Sequence, residues 1–319
     1  MGKKTIGMLS SYPGLTQGDW MWNQTPHHFG VWGNVQLLSQ AEQPDFLLLY
    51  NFHDFKPAPP KGWLQRLQKP LELSPEAAKT KFRNVPKEQI VSLVREPPFA
   101  EKLNQRTADY EHSKTYCGYV SGPDDLAPVP DYMPAIWYVN QSFQQLDQGS
   151  VPEKVRPCSW VTSGIDRTHN HRQRLAFLKL LQDNHLNFDL YGRNLPIGSN
   201  SFGSVANKSH ALAPYYYNLA IENYADNGWY VSEKLWDALL SWCLPIYYGG
   251  SAADKLLPPG SFLKLPSLDE QGLQHIQEVT ATPDAWYAAK EAIAEARQII
   301  LHKLNLVNWL SDFVGKSEH

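Results

Sequence analysis

The strongest restriction on how this chain can fold is the repeated pairing of short, largely apolar runs with helical patterns. DFLLLYNF (45–52), YYNLAIE (216–222) and CLPIYYGG (243–250) lack the apolar–polar alternation of a strand that faces water on one side. A strand covered on both faces reads instead as near-continuous hydrophobe. Around the later runs lie RQRLAFLKLLQDN (172–184) and SEKLWDALLSW (232–242), whose apolar residues recur at three- and four-residue spacing. Strand, helix and strand in succession favour a parallel sheet with helices packed on its faces.

The same rhythm extends over most of the sequence. TIGML (5–9) predicts a first strand, residues 34–42 a helix, and EQIVSLVREPPF (88–99) a strand followed by a loop. A proline-rich stretch (57–70) interrupts the pattern, and residues 115–140 carry two short strands separated by prolines. The polar segment NQSFQQLDQGSVPEKVRP (140–157) reads as a linker. Beyond it come strands CSWVTS (158–163), NFDLYG (187–192) and SFLKL (261–265), then a long helix over 283–304. At 319 residues the chain exceeds the usual size of one core. The expected fold is therefore α/β, with two Rossmann-like domains facing across a cleft, residues 1–150 and 151–300. The amphipathic tail 301–319 is expected to pack back on the first domain.

Composition removes several classes of function. A hydrophobic fraction of 42% with 19% charged residues is that of a globular chain, not a disordered one. A net charge of −3 lacks the basic footprint of a nucleic-acid binder. Cys117, Cys158 and Cys243 are isolated and odd in number, which fits a reducing compartment. The N-terminal MGKKTIGMLSSYPG has no apolar core of a signal peptide, and no run approaches the ~18 apolar residues of a membrane span. A cytoplasmic location is expected, with peripheral contact at the inner face of a membrane compatible with it. No G-x-G-x-x-G, Walker-type loop, H-E-x-x-H or paired C-x-x-C occurs, and His169 and His171 read as solvated loop residues, not metal ligands. Asp-x-Asp is also absent, which weighs against a pyrophosphate held through a divalent cation.

Two stretches carry chemistry. In NLAIENYADNGWYVSEKLWDALLSW a buried strand ends at Glu222-Asn223, and a helix starts near Ser232. Ligands of open parallel sheets sit beyond the carboxyl ends of the strands, so Glu222 to Lys234 lies on the ligand-facing edge. Glu233 suits a first helical turn, whereas Lys234 opposes the helix dipole by about 0.3–1 kcal/mol unless an anion is bound there. Two readings stay open: an ammonium solvated at the surface, or an anion clamp. In LVREPPF, Glu96 follows an apolar strand and precedes two prolines that stiffen the loop. It suits a general base, although by local pattern alone a salt bridge with Arg95 or a place on the loop surface is the commoner fate of such a carboxylate. Trp20, Trp22, His28 and Trp32 form either a sugar-stacking platform or a packed loop.

The segment YYYNLAIENYADNGWYVSEKLWDALLSWCLPIYYGG resembles the signature of the α1,3/4-fucosyltransferase family, in which an aromatic-rich strand ending in E-N precedes Y-V-T-E-K-L-W-x-A and an apolar strand with Pro, Tyr and Gly. REPP, the strand and helix over 158–184, and DLYGR (189–193) extend the resemblance; residues 1–87 follow only its architecture. It implies a two-domain GT-B enzyme that moves L-fucose from GDP-β-L-fucose, with inversion and without a metal or other cofactor. The acceptor is expected to be a hydroxyl, O3 of N-acetylglucosamine or glucose, on an oligosaccharide, glycolipid or lipopolysaccharide precursor. Carried over by position, Lys234 and Arg174 neutralise the donor pyrophosphate, with Arg172 the fallback for Arg174. Glu233 bonds the ribose, Tyr230 and Asn223 face the nucleoside and donor, and Thr162 and Ser163 contact phosphate. Glu96, in the N-terminal domain, is the base. Two departures are mild, Ile221 where the family has Phe and Ser232 where it has Thr, while Trp229 stands before Tyr230 where many members have Asp or Gly and can reshape the rim near the sugar. The competing expectations are a transferase of the same fold using another nucleotide sugar, and a catalytically silent glycan-binding protein.

Overall fold

The structure, a computed structural model, describes residues 2–12, 14–16, 20–55 and 73–317. The proline-rich stretch 57–70 lies outside the described residues. The chain forms two compact units, residues 1–133 with 310–319 and residues 134–309.

In the first unit, β1 (Lys4–Leu9), β2 (Val31–Trp32), β3 (Val35–Leu37), β4 (Phe46–Tyr50), β5 (Ile90–Leu93), β6 (Tyr119–Gly122) and β7 (Val129–Pro130) form a sheet in the order β2-β3-β1-β4-β5-β6-β7. Every neighbouring pair is parallel except β2 with β3. Residues Phe46 to Tyr50 are all buried, as a strand covered on both faces requires. Helices α1 (Pro75–Lys81) and α2 (Leu103–Tyr116) follow β4 and β5, and one core cluster gathers Leu47, Leu49, Phe55, Phe82, Ile90 and Val120.

The expected helix over 34–42 is not formed. Val35 and Leu37 alternate with Gln36 and are fully buried, so the period is two, and the segment pairs with β1 and β2 as strand β3.

In the second unit, β8 (Arg156–Ser163), β9 (Asp189–Arg193), β10 (Tyr215–Ile221), β11 (Leu244–Tyr248) and β12 (Leu263–Lys264) form an all-parallel sheet in the order β12-β11-β10-β8-β9. α3 (Phe143–Gln148) precedes it. α4 (His169–Asp183) links β8 to β9, α5 (Glu233–Leu240) links β10 to β11, and α6 (Ala252–Leu256) leads to β12. α7 (Glu270–Thr280) and α8 (Asp284–Gln298) follow, and a π-helical turn (Ile299–Lys303) leads into α9 (Leu306–Ser317). On α5, Leu235, Trp236, Leu239 and Leu240 are buried against the sheet. The last part of α9 belongs to the first unit, where the Ser311 hydroxyl donates to Asn34 at 2.8 Å and Phe313 meets Tyr119 edge-on at 5.1 Å.

The division at 133/134 falls well before residue 150, and 140–157 is not simply a linker. Ser142 and Gln145 form a reciprocal capping box that starts α3, which buries Phe143 and Leu146. The buried Arg297 of α8 donates to the Leu146 carbonyl, and Phe143 packs edge-on against His302 at 5.0 Å. Polar composition hid an anchored helix. All three cysteines are buried and unpaired, and among the described residues no helix is long and apolar enough to cross a membrane.

Candidate active site

In the second unit, the ends of β8, β9 and β10 and the start of α5 enclose a pocket of about 360 Å³. Six of the residues expected at a site line it together: Thr162, Ser163, Arg174, Asn223, Glu233 and Lys234. This is the carboxyl edge of the sheet, where loops leave the strands and helix N-termini arrive.

Arg174 is placed by its own helix. Thr168 caps α4 by accepting from the His171 backbone N–H, and the same hydroxyl bonds the His171 ring at Nδ1, 2.7 Å away. α4 therefore starts three residues before the expected 172, and His171 is a buried first-turn residue, not a solvated one. One turn on, the Arg174 guanidinium donates to the carbonyls of Ser163 at 2.7 Å and Ile165 at 3.2 Å. Burial pushes its pKa down to about 10, which leaves it charged at neutral pH. Arg172 instead donates to the Asp166 carbonyl and does not line the pocket. Gly192 gives the pocket its floor: its φ is +155°, and a Cβ there would lie 1.8 Å from the Thr162 carbonyl oxygen.

Lys234 is not solvated. Its ammonium lies 3.1 Å from Glu222 Oε2, 3.0 Å from Ser232 Oγ and 4.0 Å from Glu233 Oε1. Glu222, at the end of β10, has no exposed side-chain surface and also accepts from the Ser232 backbone N–H and hydroxyl, both at 2.7 Å. Burial lowers the Lys234 pKa, but the Glu222 and Glu233 carboxylates more than offset it, and the net shift is upward.

Three polar atoms at this pocket are buried without a partner among the described residues: Thr162 Oγ1, Arg174 Nε and Asn223 Oδ1. Native proteins leave few such groups, and three among the lining residues of one pocket are what a polar ligand would satisfy. Two cations the sequence reading missed also line the pocket, Arg193 and Lys208. Lys208 is held by the buried Asp237 at 2.7 Å and lies over the Tyr138 ring. The lining thus presents four cations against the single carboxylate of Glu233, a balance suited to an anionic ligand.

Tyr230 is not among the lining residues. It is buried in the loop before α5, edge-on to Tyr224, with its backbone N–H bonded to Asn227 Oδ1 at 2.9 Å. It supports the loop that delivers Ser232.

Glu96 lies in the first unit, in a separate pocket of about 330 Å³ with His53, Pro97, Pro98, Phe99 and, from α2, Gln105, Arg106 and Asp109. Asn51, at φ +49°, accepts from the backbone N–H groups of Arg95 at 3.2 Å and Glu96 at 3.4 Å, which fixes the loop. The Tyr12 hydroxyl donates to Glu96 Oε1, and the Arg95 guanidinium donates to the Tyr50 hydroxyl. Opposite, His53 Nδ1 stands 3.3 Å from Asp109; burial pushes that carboxyl up, but hydrogen bonds from His53 and Gln105 hold it below its usual value. In the Trp loop, the Trp20 and Trp22 indoles donate to the carbonyls of Leu15 and Leu37, so both rings are tied into the fold.

Two parallel α/β units with a cation-lined pocket at a sheet's carboxyl edge define the class. The fold is that of the GT-B glycosyltransferases, and the α,α-trehalose 6-phosphate synthase of Burkholderia multivorans shares it, with a TM-score of 0.54 at 10% identity over 100% of this chain and 98% of that one. Residues 151–288 match the sequence model described as glycosyltransferase family 10 (fucosyltransferase) C-term. That segment of the chain is similar to the C-terminal domain of the family-10 fucosyltransferases. An α-(1,3)-fucosyltransferase C of Drosophila melanogaster is 36% identical over 135 residues, 42% of this chain and 30% of its own length. An α-(1,3)-fucosyltransferase FucT of Helicobacter pylori is 40% identical over 62 residues, 19% of this chain and 13% of its own. The similarity thus spans less than a third of either relative.

Proposed function

We propose that this protein transfers L-fucose from GDP-β-L-fucose, with inversion at the anomeric carbon, to a hydroxyl of a saccharide acceptor. O3 of N-acetylglucosamine or glucose in an oligosaccharide or glycolipid is the acceptor position expected. What supports the reading is the convergence of Thr162, Ser163, Arg174, Asn223, Glu233 and Lys234 on one pocket with three unpartnered buried polar atoms.

In this mechanism Arg174 and Lys234 bind the pyrophosphate and stabilise the charge that develops on it as the C1–O bond of fucose breaks. Glu233 accepts from the ribose hydroxyls, and Thr162 and Ser163 donate to phosphate oxygens. Glu96 takes the proton of the acceptor hydroxyl as that oxygen forms the new bond to C1, and GDP leaves from the opposite face. Fucose passes through an oxocarbenium-like state, and holding donor and acceptor in line supplies the rest of the acceleration. Charge neutralisation by side chains, in a chain that lacks Asp-x-Asp, predicts a rate unchanged by EDTA.

The test is turnover of GDP-fucose, GDP-mannose and UDP-glucose with lactose, N-acetyllactosamine and its β1,3-linked isomer. Transfer from GDP-fucose alone is expected. Turnover of another donor in preference to it, or binding of glycans with no turnover, would overturn the proposal.

A further inference from the structure

An ammonium group has three N–H donors and no acceptor. For Lys234, one points to Glu222 Oε2 at 3.1 Å and one to Ser232 Oγ at 3.0 Å. The Ser232 hydroxyl can accept because its own proton is given to Glu222 Oε2. Glu233, at 4.0 Å, is beyond hydrogen-bond reach and so does not take the third. Lys234 lines the pocket while Glu222 lies sealed behind it. Two donors are therefore committed to the protein, and one remains on the pocket side.

We propose that Glu222 is a positioning residue for donor binding, acting with the Ser232 hydroxyl to hold the Lys234 ammonium so that its remaining N–H is presented to the pyrophosphate. The inference rests on the donor-site reading above. A free lysine side chain would lose several rotatable bonds on meeting the ligand; here that ordering is completed when the protein folds. The same carboxylate keeps the ammonium charged against the effect of burial, with Glu233 on its own helix assisting and Arg174 of α4 opposing.

GDP affinity, measured by calorimetry from pH 6.5 to 10 on the intact protein, provides the test. Glu222→Gln retains an acceptor for the Ser232 backbone N–H but removes the charge. It should bind GDP at least about tenfold more weakly at pH 7.5, as expected for loss of one charge-assisted hydrogen bond. Its alkaline loss of affinity should also begin at lower pH than in the wild type, a change that a purely structural role would not produce. Ser232→Thr, which keeps the hydroxyl, should bind like the wild type, and Ser232→Ala should weaken GDP binding. This pair carries the test if Glu222→Gln does not fold. Wild-type affinity and an unshifted alkaline limb in Glu222→Gln, or equal binding by Ser232→Thr and Ser232→Ala, would overturn the inference. Failure of the wild type itself to bind GDP would overturn the donor-site reading instead, and this inference with it.

Discussion

Replacing Lys234 by methionine tests binding and stability in one experiment. Methionine keeps most of the aliphatic stem but removes the charge, leaving the carboxylate of Glu222 enclosed, with no exposed side-chain surface, and without its cation. Removing one partner of a buried ion pair costs about 3–5 kcal/mol, because the remaining charge can neither reach water nor find a substitute. For a unit of this size each kcal/mol lowers Tm by roughly 2–4 °C, so a fall of roughly 6–20 °C is expected. GDP binding should weaken by about 1.5–3 kcal/mol, the value of a hydrogen bond to a charged group, or roughly tenfold to more than a hundredfold. The double variant Glu222→Gln/Lys234→Met separates the two effects. It leaves no unpaired charge at this pair of positions, and the introduced amide can donate to the Ser232 hydroxyl oxygen, so most of the lost Tm should return. GDP affinity should not return. Differential scanning calorimetry and GDP titration on the wild type, both single variants and the double variant measure this. A Lys234→Met protein with unchanged Tm would refute the sealed ion pair, and a double variant that regains affinity along with Tm would refute the ligand role of Lys234.

Glu96→Gln should reduce transfer by 10²- to 10⁴-fold, the usual contribution of a positioned base, while GDP-fucose affinity stays within a few-fold; transfer rate and donor Kd measured on the same preparation check this. His53→Ala removes a partner that holds the Asp109 carboxyl below its usual value. Because a depressed carboxyl stabilises the fold above the unfolded pKa of about 3.9 and loses that contribution as pH falls through its lowered folded-state pKa, the variant should lose roughly 0.5 kcal/mol at pH 5.5 and less at pH 3. Urea midpoints at the two pH values report the difference. Arg297→Met removes donors to the Leu240 carbonyl at the end of α5 and the Leu146 carbonyl of α3. It should destabilise the second unit by about 2–4 kcal/mol and make residues 140–155 cleavable by limited proteolysis at temperatures where the wild type resists.

The parts legible in the sequence were those encoded locally. The β10–α5–β11 segment declared itself through continuous apolar strands and a Ser-Glu-Lys helix start, and the structure has those elements within a residue or two of the expected positions. Arg174 and the Thr162–Ser163 pair lie on one strand–helix junction, so strand direction alone brings them to the same edge. What depends on distant partners was not legible. Glu222 before Asn223 reads the same whether it faces a ligand or lies sealed behind a lysine twelve residues away. Arg297 looks like any charged residue near a helix end until its bond to the Leu146 carbonyl, 151 residues earlier, is seen. Two misreadings had local signals that were available but outweighed. Val35-Gln36-Leu37 alternates with period two, and Ser142 stands three residues before Gln145 as a capping box requires. Lys208 lies in none of the stretches that resemble the family and Arg193 only ends DLYGR, and it is the placing of the end of β9 and of the segment before β10 that brings both to the pocket of Lys234.

Because the chain leaves the first unit after Met133 and re-enters it at Leu310, that unit is built from two pieces separated by an entire second domain. During synthesis its strands emerge early, but Leu310, Phe313 and Val314, which belong to it, are made only after the whole second domain. The ribosome thus delivers a first domain that must wait, with the surface meant for α9 uncovered, until residues 134–309 have been translated. Contacts between positions as remote as Asn34 and Ser311 carry a large loop-closure cost and form late. The vulnerable interval in this protein's biogenesis is set by the length of the second domain, and chaperone demand would fall in a circular permutant that joins the α9 segment directly to the first strand.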